Sequence, residues 1–286
     1  MARLLWWLVG TAFLGTLSGC GSFVRIAYNN ADFGARYLTN DYLDLEGEQA
    51  DLVRTRIDHL HQWHRRQELP KYVAAIDELT LRLRRGIEQD DVAWAADVIQ
   101  TRYRALVHQS IIEVTPLLDR LTPDNLTRLE KKLAESNATF ERDNLQKSAE
   151  RLRTLTKRAR DWLGDLTALQ EERLAAYADA SAPIFTGLLD ERRRRHHAVL
   201  EALHTNAPAT ERGQRLDSLL VHYEQHRSEQ YAVTAQAWQA RLGTLLLEIE
   251  SSLTAKQRKH LIDRLTFYAS ELRVLAREGI SASASN

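Results

Sequence analysis

DDVAWAADVIQTRYRALVHQSIIEV, residues 90–114, decides the fold. Trp94, Val98, Tyr103, Val107 and Ile111 recur about once per helical turn, and no Gly or Pro interrupts them. That period belongs to a long amphipathic helix, since a strand would alternate every second residue. Upstream, Leu52, Val53, Ile57, Leu60 and Trp63 show the same spacing from about Gly47. Pro70 suits the first residue of a second helix and Gly86 its end. Downstream, Pro123 opens a helix, and a charged, heptad-like run covers 144–162. Pro183 starts another helix, which Asn206-Ala207-Pro208 interrupts. Residues 212–250 read as one long helix and 254–278 as the last. No segment alternates convincingly as a strand, so the expected class is all-α, built of long antiparallel helices.

The totals agree. The 286 residues carry only 12 Gly and 5 Pro, the residues that punctuate strands and turns. Hydrophobic residues make up 44%, enough for a substantial core, and 27% are charged, which excludes a membrane-embedded protein. Basic and acidic residues balance at 39 each, whereas a nucleic-acid binder carries a clear basic excess.

The first twenty residues read as a lipoprotein signal. Arg3 supplies a short positive start. The apolar run Leu4 to Leu17 is too short to span a bilayer and fits a secretory signal core. Leu17-Ser18-Gly19-Cys20 then forms a lipobox: an aliphatic residue, two small residues and the cysteine whose thiol accepts lipid. Cys20 is the chain's one cysteine, so no intramolecular disulfide exists. The expected mature protein begins at an acylated, palmitate-bearing Cys20, and several acyl chains anchor it stably. Gly21 follows, where an aspartate commonly retains a lipoprotein in the inner membrane, so outer-membrane sorting with a periplasmic domain is expected.

One local motif recurs. Leu45–Gln49 (LEGEQ), Leu121–Asn125 (LTPDN), Leu166–Gln170 (LTALQ) and Leu253–Gln257 (LTAKQ) each place a leucine four residues before an amide. Thr122, Thr167 and Thr254 suit the N-cap, with Asn125, Gln170 and Gln257 at N3 reaching back, and the leucine stapled to the first turn. Glu46 makes the first copy degenerate. Any single copy is an ordinary capping box. The pairs, however, lie 76 and 87 residues apart, and their flanks correspond. The organisation they suggest is a signal peptide 1–19, a lipidated tether 20–42, a helical unit 43–140, a connecting helix 141–163, a second unit 164–279 and a disordered tail 280–286.

Motifs of the LTxxQ kind bracketing a helical unit resemble the Spy/CpxP family of periplasmic proteins. That resemblance implies thin helical hairpins, two tandem units arranged as a fused pseudo-dimer, and ATP-independent holding of unfolded proteins. The lipobox, Ala27-Tyr28-Asn29-Asn30, 41–45 (DYLDL), 63–66 (WHRR) and 68–72 (ELPKY) resemble a family of uncharacterised Gram-negative lipoproteins, which implies no activity.

Other chemistry is thin. Ten histidines are scattered along the chain. His222 and His226, four apart on an expected helix, suit two ligands of zinc or nickel, while HYEQH lacks the metalloprotease order. A metal-binding relative of the LTxxQ proteins is therefore one alternative, although scattered surface histidines are the simpler reading. Arg192 to Arg195 offers a cationic patch, but four consecutive positions surround a helix, and Asp190 and Glu191 stand beside them. Nucleotide loops, GxSxG and a mature cysteine nucleophile are absent. The expected function is therefore non-enzymatic: a lipoprotein that binds unfolded or envelope proteins, needs no cofactor and contacts no nucleic acid. A structural envelope adaptor is the remaining alternative.

Overall fold

A computed structural model describes residues 21–145 and 148–284, and within them every regular element is helical. The segment 1–19 and Cys20 lie outside the described residues, as do 285 and 286. In chain order the α-helices are α1 (Gly21–Asn29), α2 (Ala31–Leu43), α3 (Gly47–Trp63), α4 (Leu69–Arg85), α5 (Gln89–Leu118) and α6 (Pro123–Asn144). There follow α7 (Ser148–Leu163), α8 (Ala168–Ala180), α9 (Ala182–His204), α10 (Ala209–Val221), α11 (Glu229–Ser251) and α12 (Ala255–Ala284).

The core forms two clusters, and each draws on both halves of the sequence. In one, Val107 and Ile111 of α5 and Leu126, Leu129 and Leu133 of α6 meet Val199 and Leu203 of α9 and Leu216 of α10. In the other, Leu69, Val73, Ile76 and Leu83 of α4 meet Leu265, Ala269, Leu272 and Leu275 of α12. Helix contacts recur in matched order. The pairs α2–α3, α2–α6, α3–α5, α4–α5 and α4–α12 correspond to α7–α8, α7–α12, α8–α11, α9–α11 and α9–α6. The pair α5–α10 also packs closely. A Cβ on Gly213 would stand 2.6 Å from Thr115 Oγ1, so any larger residue there makes the Thr115 side chain shift.

Several sequence expectations change. Pro70 stands in the first turn of α4 and Gly86 caps its end, but α4 is not set apart from α3: the two join through a π-helical turn, His64–Glu68, in which Leu69 N donates to the His64 carbonyl. A proline ring crowds the carbonyl four residues back and offers no N–H, and widening the ladder before it relieves both defects. The stretch 212–250 is not one helix. It breaks after Val221 into a 3-10 turn, Tyr223–His226, before Ser228 caps α11. The tether region 20–42 contains two helices, α1 and α2. The last helix runs on to Ala284, into the segment expected to be disordered.

Candidate functional site

Threonine capping boxes form at three of the four places. Thr122, Thr167 and Thr254 Oγ1 accept from the backbone N–H of Asn125, Gln170 and Gln257 at 3.3, 3.3 and 3.2 Å. The amide oxygens of Asn125, Gln170 and Gln257 accept in return from the threonine N–H groups at 2.9, 3.0 and 3.0 Å. Glu46 caps nothing with its side chain. Leu45 is buried, and Leu121, Leu166 and Leu253 are half-buried.

The caps then meet in pairs, which spacing alone does not specify. Gln49 Nε2 donates to Asn125 Oδ1 at 2.9 Å. Gln170 and Gln257 exchange amide hydrogen bonds at 3.1 and 2.8 Å. Each clasp also ties down the loop before its partner helix. Gln49 donates to the Arg120 carbonyl, and Gln170 to the Ser252 carbonyl at 3.2 Å. Asn125 donates to the Asp44 carbonyl at 3.2 Å, and Gln257 to the Asp165 carbonyl at 2.7 Å. The two clasps thus share the donation from the first amide and both loop carbonyls, while the return bond from the second amide exists only between Gln257 and Gln170. They differ in burial: Gln170 is fully buried, whereas Gln49 is only partly so. A similar box at Glu88 and Asp91 starts α5. The Glu88 backbone N–H, then Arg82 and Arg85, hold the Asp91 carboxyl below its usual range.

A second polar cluster surrounds the π-helical turn. His64 stands between two tyrosines: Nδ1 is 2.9 Å from Tyr28 Oη and Nε2 is 3.3 Å from Tyr72 Oη. The His61 ring lies 4.9 Å from the Tyr28 ring, and the Arg65 guanidinium caps that ring's other neighbourhood at 5.2 Å. One turn on, the fully buried Glu68 accepts from Lys71 at 2.7 Å and pairs with Arg102 of α5 at 3.2 Å. The 63–72 stretch was visible in the sequence as a shared pattern. Its organisation was not, because Tyr28 and Arg102 arrive from distant helices. The contacts of His64 bind α1 to the α3–α4 helix.

Burial lowers the His64 pKa to about 4 from 6.5, with His61 adding to the effect. Burial, then Arg192, likewise lowers His196 to about 3. An unfolded chain takes up a proton near 6.5, but the folded chain holds His64 neutral until about pH 4. The stability this provides is therefore complete above the unfolded pKa and lost as pH falls through that window. Lowering pH from about 7.5 to about 5 should cost about 2 kcal/mol through His64 alone. Urea unfolding of wild type and His64→Gln across that range checks this. Parallel pH profiles would sink it.

The metal expectation at His222 and His226 is not met in its premise. His222 adopts φ −103 and ψ 34 just after α10, so the two rings do not share a helix face. His226 Nε2 lies 2.9 Å from Ser218 Oγ, and His222 is exposed. The cause is the pull of α5 on the intervening residues. Tyr223 packs edge-on against Tyr103, and Glu224 pairs with Arg104 and accepts from Gln100. Among the described residues, no group of three His, Cys, Asp or Glu is placed to hold a metal ion. The arginine run is dispersed as its helical positions require. Arg192 is buried over Phe140 and donates to Ser136, Arg193 pairs with Glu141, and Arg194 pairs with Glu191. No described helix is long and apolar enough to cross a membrane.

Fold and clasps together define an all-helical protein with two amide-linked helix junctions and two cores shared between its halves. Residues 41–232 match a family of unknown function, DUF6279, and the chain belongs to that family. Neither a curated protein nor a solved structure matches the chain.

Proposed function

We propose that this protein is a lipoprotein held through acylated Cys20 at the periplasmic face of the outer membrane. There it binds unfolded or envelope proteins without catalysing a reaction, in a Spy-like manner. The observation that carries this reading is the repeated clasp, Gln49–Asn125 and Gln170–Gln257, with equivalent carbonyl partners. Together with the matched helix contacts, it supports two related helical units, 43–140 and 164–279, joined into one body like a fused pseudo-dimer. Exposed apolar side chains such as Leu81, Ile99, Ile112 and Val233 supply contacts for a client.

A chemically denatured test protein diluted into the chain from Gly21 onward tests the reading by light scattering. Suppressed aggregation at near-stoichiometric amounts, insensitive to a chelator, supports it. No suppression leaves a structural envelope adaptor, and suppression lost with chelator returns attention to the histidines. Cys20→Ala should abolish membrane fractionation, and unchanged fractionation would remove the anchor.

A further inference from the structure

α1 and α2 form nearly one helix, because the i→i−4 bonds continue across the junction: Asn30 N to the Ile26 carbonyl at 3.1 Å and Gly34 N to the Asn30 carbonyl at 3.2 Å. Its inner face packs on the cores through Val24, Tyr28, Tyr42 and Leu43, and its outer face is apolar as well. The charged side chains turn inward or sideways and are paired: Arg25 with Glu271 at 3.0 Å, Arg36 with Asp32 at 2.8 Å and with Asp58, and Asp41 with Lys132 at 2.6 Å. Tyr28 points inward as well, to His64. The outward positions carry Phe23, Ile26, Phe33 and Tyr37, with Ala27 and asparagines 29, 30 and 40 beside them. None of the exposed positions from Phe23 to Asn40 is charged. Phe33 and Tyr37 are 68% and 67% exposed. The spacing 23, 26, 30, 33, 37 alternates threes and fours, so these residues form one stripe. At about 1.5 Å per residue the stripe is about 20 Å long.

We infer that this face is a membrane-contact surface: α1–α2 lies in the lipid interface with Phe23, Ile26, Phe33 and Tyr37 dipping below the headgroups. The inference rests on the anchor reading of Cys20. That residue is three positions before Phe23, so even a fully extended chain holds the start of the stripe within about 11 Å of the lipid. Water is a poor neighbour for four large apolar groups on a helix whose charges are all engaged elsewhere. An interfacial helix with aromatic side chains at the headgroup level satisfies them. The inward ion pairs and the Tyr28–His64 contact fix which face looks outward, so docking needs no refolding.

The acylated full chain, reconstituted into phosphatidylethanolamine–phosphatidylglycerol vesicles, tests this. Cys20 is the one native cysteine and is blocked by lipid, so Phe33→Cys or Tyr37→Cys gives a single free thiol for an environment-sensitive dye. The control is Val233→Cys on α11, which packs on α5, α8 and α9. The expected result is blue-shifted emission at 33 and 37, quenched several-fold more than at 233 by nitroxide-labelled lipid. Floating vesicles that carry the protein but give equal, weak quenching at all three sites would overturn the surface and leave the anchor standing. A blue shift without lipid quenching would assign the face to a second copy or a client, and also overturns it. Protein that fails to float with the vesicles removes anchor and surface together.

Discussion

Glu68→Leu should lower the unfolding free energy by about 3–5 kcal/mol, the usual cost of removing one partner from a buried charge network. Glu68 is 0% exposed and sits where the π-helical turn meets α4. Its carboxylate accepts from Lys71 at 2.7 Å and pairs with Arg102 of α5 at 3.2 Å. The two cations respond differently to its loss. Lys71 is half-exposed and swings into water at little cost, while the Arg102 side chain is only 23% exposed and is left facing an apolar leucine. Leucine nearly matches the volume of glutamate, so packing alone predicts a mild effect. Glu68→Gln keeps an acceptor and the shape, and should cost distinctly less. Adding Arg102→Met to Glu68→Leu removes the stranded charge and should recover much of the loss. Urea unfolding followed by circular dichroism measures all three. A Glu68→Leu variant within about 0.5 kcal/mol of wild type would show that the network contributes nothing net.

What could be read from the sequence follows from how local each determinant is. Thr122, Thr167 and Thr254 were legible as caps because a capping box is closed by residues three apart. The helices around Trp94–Ile111 were legible because period alone marks them. The pairing of Gln170 with Gln257 was not, since it depends on how α8 and α12 pack. The π-helical turn was missed because Pro70 marks a defect without saying whether the chain stops or widens. The 222–228 break has no Gly or Pro; Tyr103 and Arg104 on α5 impose it through Tyr223 and Glu224. That tertiary pull removed the shared face on which a His222–His226 metal site depended. The outward apolar stripe of α1–α2 was hidden for the same reason: a hydrophobic stripe announces a buried face, and only the positions of Glu271, Asp58 and Lys132 show that this one turns outward.

Gln170→Leu should cost about 3 kcal/mol, while Gln49→Leu at the corresponding position of the other clasp should cost only about 1 kcal/mol. The difference follows from burial and from the number of groups each amide serves. Gln170 is 0% exposed, and its amide serves Thr167 N, the Ser252 carbonyl and both polar atoms of Gln257. Leucine fills the space but takes the side-chain partner from the Thr167 N–H and the Ser252 carbonyl, while Gln257 keeps only Asp165 and Thr254, and each stranded group costs about 1–3 kcal/mol. Gln49 follows an uncapped Glu46 and is partly exposed, so water replaces what its amide donated to Asn125 and Arg120. Thermal and urea unfolding of the two variants side by side measures the gap. Equal losses at 49 and 170 would mean that the clasps act through helix capping or packing alone. Unequal losses in the stated order would make the second clasp the pin that holds α8 to α12. Because both cores mix helices from the two halves, loosening that pin should unfold the whole body in a single transition.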